Sequence, residues 1–135
     1  MEIAGYPASN LMAKNLKALA MSKMSGFRHL SIVVPEWEGA TVILREPSAE
    51  AWLRWQDVVK KDEDEESELS VSKTMKRNLD ADVTLFIDVL LDADEQPVFS
   101  PADADGVAEI YGPVHSRLLK KALNLITGAE DAKEK

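Results

Sequence analysis

The chain contains no cysteine. That absence removes disulfide staples, zinc–thiolate centres and thiol nucleophiles, and it agrees with a reducing compartment. Long apolar runs are missing too: the strongest stretch, Val83 to Leu91, is interrupted by Asp88, whereas a membrane-spanning helix needs about 20 predominantly apolar residues. Glu2 follows Met1, and Lys14, Lys17 and Lys23 punctuate the first helical segment, so no export signal is expected and the cytosol is the expected location. The six glycines, at positions 5, 26, 39, 106, 112 and 128, never fall into a dinucleotide or Walker spacing, and no serine sits in a nucleophile elbow. Histidine is scarce. His29 falls on a predicted strand and His115 near a helix start, so hydrogen-bonded or partly exposed imidazoles are the simpler reading of both. The fragment Asp103-Ala104-Asp105-Gly106 fails as a calcium loop, because placing Gly106 sixth puts Pro101 first and Gly112 twelfth, where a bidentate Glu is required. It reads as a helix N-terminus. No catalytic residue, metal or cofactor is expected.

What remains is a globular composition: 135 residues, 45% hydrophobic and 30% charged, near the usual size of one domain. We expect a single domain over residues 1–128 and a charged, flexible tail over 129–135. Charge is uneven along it. Residues 1–35 carry four Lys/Arg against one Glu, for +3, and residues 36–135 carry twelve against twenty-three, for −11, which together make the net −8. Six acids fall in the run from Asp62 to Glu68. Such a run repels itself and reads as a solvated loop, the alternatives being a cation site, a tether for a basic partner or a nucleic-acid mimic. A pI near 4.8 argues against nucleic acid binding, which depends on neutralising phosphates.

The periodicities predict an α+β fold, mostly helical, in which an N-terminal helix and one β-hairpin over residues 28–46 pack on three to four further helices. Asn10 to Met24 places apolar residues at 12, 16, 19 and 20 with lysines on other faces, Asn10 as N-cap and Gly26 as stop. Arg28–Val34 and Ala40–Glu46 are β-branched and apolar, joined by five residues that include Gly39. Ser48 caps the next helix, whose Trp52, Trp55 and Val59 recur at helical spacing and would be buried against the hairpin. Leu79, Val83, Phe86, Ile87, Leu90 and Leu91 form the strongest helical stripe. Ser100-Pro101 opens another helix, Gly112-Pro113 breaks it, and a last helix runs from Val114 to Ile126 with Gly128 as its stop.

All three tryptophans lie between Trp37 and Trp55. Trp37, between Glu36 and Glu38, is either a lid over the core or an exposed interface anchor. The segment around it resembles the tail assembly chaperones of long-tailed, siphovirus-type bacteriophages. The resemblance rests on the order of several motifs along most of the chain: Val33-Val34-Pro35-Glu36-Trp37, Val42-Ile43-Leu44-Arg45-Glu46-Pro47, Trp52, the Pro97-Val98-Phe99-Ser100 helix start, and the closing run from Arg117-Leu118-Leu119 to Ala122-Leu123-Asn124-Leu125. It implies a non-catalytic factor of the host cytoplasm that binds the tape-measure protein, keeps it soluble, promotes tail tube polymerisation and is absent from the finished virion. It also implies a short product of a gene with a programmed frameshift, the longer form contacting the tail tube protein and beginning near Gly128, Lys133 and Lys135. Self-association, with Trp37, Leu119 and Leu123 as partner-binding candidates, completes the expectation. An acidic regulator or nucleic-acid mimic acting through residues 62–68 is the alternative.

Overall fold

Strands β1 (His29–Val34) and β2 (Ala40–Arg45) form the expected hairpin, in antiparallel register from His29 opposite Arg45 to Val34 opposite Ala40. The computed structural model describes residues 15–63 and 70–134 of the chain. The hairpin turn begins as one turn of 3-10 helix, Pro35–Trp37, started by the fixed φ of proline. Glu38 (φ 56) and Gly39 (φ 74) then reverse the chain in the left-handed region, a conformation that glycine adopts freely and that costs Glu38 about 1 kcal/mol.

The remaining elements are helical, apart from one short strand. Helix α1 is described over residues 15–20, and α2 covers Ala49–Glu63, α3 Val71–Val89, α4 Ala104–Ile110 and α5 Pro113–Glu134. Helix α3 is the central pillar. Ser70 Oγ caps it by accepting from the Lys73 N–H at 3.2 Å; Val83, Phe86 and Ile87 of its predicted stripe are buried, and so are Leu85 and Val89, which lie outside that stripe. Helices α2, α4 and α5 all pack on it, and α5 also covers β2. The core joins Val34 and Leu44 of the hairpin to Phe86 of α3 and Leu118 of α5, each fully buried.

The structure corrects the sequence reading at five places. Leu90 and Leu91 do not extend α3: they form β3 (Leu90–Leu91), paired antiparallel with Leu44 and Ile43. Both are buried, at 2% and 3% exposure, so their apolar character suits either conformation, and the open edge of β2 decides for the strand. Helix α2 has α3 rather than the hairpin as its main partner; Trp52 and Trp55 stack edge to face at 5.6 Å and lie half-buried against the core. Asp62 and Glu63 belong to α2, and the rest of the acidic run, 64–68, lies outside the described residues. Helix α1 stops at residue 20 instead of Met24, giving way to turns through Gly26. There the Ser22 hydroxyl donates to the Leu19 carbonyl at 2.9 Å and Ser25 to Ala20 at 2.7 Å, taking acceptors that a continued helix would use. The proposed cap, Asn10, lies outside the described residues. Finally, α5 passes through Gly128 and its backbone stays helical to Glu134, because a single glycine costs a helix only about 1 kcal/mol and the following Ala, Glu and Lys are strong helix formers.

The other helix boundaries fall where the sequence puts them. The Ser100 N–H donates to the Asp103 carboxylate at 2.8 Å, and the Asp103 N–H returns to the Ser100 carbonyl at 2.9 Å, so the Asp103-to-Gly106 fragment is indeed a helix start. Gly112-Pro113 separates α4 from α5. Among the described residues no helix is long and apolar enough to cross a membrane.

Candidate functional site

Two fastened nodes and one open face define the surface. The first node forms around the hairpin turn. Trp37 packs against the core with its ring centroid 5.5 Å from that of His115. His115 in turn lies 5.2 Å from the fully buried Phe86, edge to face, and stacks on Tyr111 at 5.4 Å. Its Nδ1 accepts the Gly112 N–H at 3.0 Å, which leaves the proton of the neutral ring on Nε2. Burial holds His115 below its ordinary imidazole value. Next to this stack Arg117 donates through both terminal nitrogens to Glu36, each at 2.8 Å. The paired guanidinium, helped by Glu36's own backbone N–H, pulls the Glu36 carboxyl down from 4.5 to about 2. The fork-to-fork geometry fixes the turn on α5.

The second node joins the end of β2 to two helices. Asp88 of α3 accepts from Arg45 Nη2 at 3.2 Å, the Ser48 N–H at 2.7 Å and the Ser48 hydroxyl at 2.9 Å. Ser48 Oγ also accepts from the Ala51 N–H at 3.2 Å, capping α2. The Arg45 guanidinium lies 4.2 Å over the Phe27 ring. With side-chain exposures of 14% and 9%, the Arg45–Asp88 pair is nearly withdrawn from water, and its charges are tolerable only because each has partners. An open cleft of about 480 Å³ lies above it, lined by Met24, Phe27, Arg45, Asp88 and Pro97 among others.

The third region is open. Leu16 and Leu19 on α1 are 68% and 64% exposed, and Met21 in the following turn 78%. Of the stripe that the sequence predicts, Leu16, Leu19 and Ala20 are described and exposed, with nothing in the described chain covering them, and Met12 lies outside the described residues.

Of the residues singled out from sequence, Trp37 and His115 meet in the first node, where Trp37 lies half-buried against the core. His29 stays apart on β1, exposed, with Nδ1 3.4 Å from the Phe27 carbonyl. Leu119, at 4% exposure, is a core residue; its surface is already occupied within the chain, a correction to its reading as a contact residue, because the apolar stripe of α5 is used for packing on α3 and β2. Leu123 is half-buried against that core. Gly128 and Lys133 lie in the helical backbone of α5, and Lys135 lies outside the described residues. Sequence reading missed Arg45, Ser48 and Asp88 as one network and missed Glu36 with Arg117. These partners are separated by 40 to 81 positions, so no local spacing could reveal them. Tyr111 was missed too. Its hydroxyl is buried without a hydrogen-bond partner, and burial, then the Asp82 carboxylate, pushes its titration upward.

None of this geometry assembles a nucleophile, a base and an orienting group at one point. Among the described residues no three His, Asp or Glu side chains are placed to hold a metal ion. The sequence pattern of the phage tail assembly chaperones matches residues 15–135. The chain belongs to that family. A solved structure, that of the bacteriophage HK97 tail assembly chaperone, is similar at 64% sequence identity and a TM-score of 0.74, over 84% of this chain and 98% of that one. No curated protein matches the sequence. In this chain the two nodes fasten the hairpin turn to α5 and the end of β2 to α2 and α3.

Proposed function

We propose that this tail assembly chaperone works without catalysis in the host cytoplasm. It binds the tape-measure protein, holds that long client in solution, promotes tail tube polymerisation around it, and is absent from the mature virion. The observation that carries this reading is the apolar stripe of α1, which no other described residue covers. Leu16 and Leu19, with Met21 just beyond, face solvent beside Lys17 and Lys23, a surface suited to receiving the apolar face of a client helix. An acidic coat of net charge −8 keeps such a complex dispersed. Several copies along one client, touching each other, supply the surface that one small chain lacks. Trp37 and Leu123, both half-buried at the surface, are secondary contact candidates. A longer, frameshifted form departing near Gly128, Lys133 and Lys135 would carry the contact to the tail tube protein.

Co-expression with the tape-measure protein tests this directly. The wild-type chain should keep the client in the soluble fraction, and the double variant Leu16→Ser/Leu19→Ser, with an unchanged melting transition, should let it pellet. A client that stays soluble with the folded double variant would refute the role of α1.

A further inference from the structure

Helix α4 buries Val107 and packs on α3. Alongside it runs a shallow groove of about 320 Å³, lined by Phe99, Ala102, Asp103, Gly106, Val107 and Ile110. Ile110, the last residue of the helix, is 59% exposed. Gly106 is the informative member of this set. Its backbone is right-handed helix, not the left-handed conformation that requires glycine, and a Cβ added there would meet no described atom beyond its own stretch of helix within 4 Å. Glycine is the poorest helix former after proline. Nothing within the described chain therefore calls for it, whereas a bare backbone suits a place where a second backbone comes close. Ala102, four positions earlier, lines the same groove, so two small residues keep its floor low.

We propose that this groove receives a basic amphipathic helix of another protein. The charge around it selects the partner. From Asp92 to Gly112 the chain holds six acids, Asp92, Asp94, Glu95, Asp103, Asp105 and Glu109, and no lysine or arginine. Asp105 and Glu109 stand exposed one turn apart on α4, a like-charge spacing that weakens a helix, and no described lysine or arginine pairs with either. A cationic partner removes that repulsion. The 7 residues of α4 span about 10 Å, which matches about two turns of a helix laid against it. Its apolar ridge enters the groove over Ala102 and Gly106 and meets Phe99 and Ile110, while lysines or arginines on its flanks reach the acids. The groove shares no residue with the α1 stripe and is of opposite charge to it.

The test uses the full chain and a synthetic amphipathic helix of about 18 residues, leucine on one face and lysine on the other, titrated while backbone amide resonances are followed. The amides of Gly106, Val107 and Ile110 should shift together as the peptide binds. Gly106→Leu should fill the groove and weaken binding about tenfold, the loss expected when a well-packed interface contact is blocked. Its melting temperature should stay at or above that of the wild type, because leucine favours helix over glycine. Ile110→Glu should weaken binding comparably although it adds a negative charge, which separates the groove from attraction by charge alone. Asp105→Asn/Glu109→Gln should lower both the affinity and its dependence on salt. Val71→Ser, which removes an exposed aliphatic side chain outside the groove, should leave the affinity unchanged. Shifts confined to other surfaces, wild-type affinity in Gly106→Leu, or an equal loss in Val71→Ser overturns the proposal. So does a smaller oligomer of the unliganded chain on Ile110→Glu in sedimentation velocity, since the groove then belongs to a second copy.

Discussion

Helices α1 and α3 carry the same kind of message in sequence and meet opposite fates. Both place apolar side chains at helical spacing with charges on the remaining faces. On α3 the stripe is consumed by the core, with Val83 and Phe86 at 1% and 0% exposure. On α1 Leu16 and Leu19 remain mostly in water. Periodicity states that a face requires cover, and is silent on whether the cover belongs to the same chain. In a protein that assembles with others, the uncovered stripe is the more informative of the two.

That contrast can be broken from the buried side first. Phe86→Ala empties the point where α3, Phe99, Tyr111 and His115 meet, and urea unfolding should show a loss of about 3–5 kcal/mol. Asp88→Ala should cost roughly 2–4 kcal/mol by the same measurement, since it strands the Arg45 guanidinium and the Ser48 amide with little water to replace their partner. Leu16→Ser/Leu19→Ser should move stability by only about 0.5 kcal/mol per site, as expected for exposed positions, while abolishing client solubilisation. If that double variant unfolds the chain instead, α1 is part of the core and the contrast fails.

Acid sharpens the comparison by acting on the fastened region alone. His115 has its folded value depressed below 6.5, so the unfolded chain takes up the proton first; its contribution is complete above 6.5 and falls as pH drops below it. Glu36 follows at lower pH. Its contribution is present above 4.5 and is lost as pH falls through its folded value of about 2. Denaturation midpoints measured down the pH scale should therefore decline in two stages. His115→Gln should flatten the first and Arg117→Met the second, the latter being the smallest effect because the Glu36–Arg117 pair is solvent-exposed.

Much of the fold was legible because local chemistry determines it. The hairpin, the Ser48 cap, the Ser100-Pro101 start and the Gly112-Pro113 break each depend on residues within a few positions of one another. Misreadings arose where a distant competitor intervened: β2 captured Leu90 and Leu91, serine hydroxyls shortened α1, and a helix-favouring tail carried α5 through Gly128. The nodes were legible only in part. Trp37 stood out as an aromatic in a turn, but its partner His115 is 78 positions away along the chain, and charge abundance hid which acids pair. The family resemblance, built on motif order and not on any single site, identified what local spacing could not.

The bridge between Leu91 and Pro97 has a consequence for how the sheet meets other chains. On the β3 side the border is occupied by this returning segment, and its proline has no N–H to offer a newcomer. On the opposite side β1 is the outermost strand, and among the described residues no strand lies beyond it. From His29 to Val34 that border carries no lysine, arginine, aspartate, glutamate or proline, the residues that ordinarily discourage edge-to-edge pairing. Among the described residues the sheet is thus closed along its β3 margin and carries no such guard along β1, so its two borders differ in what they offer another strand.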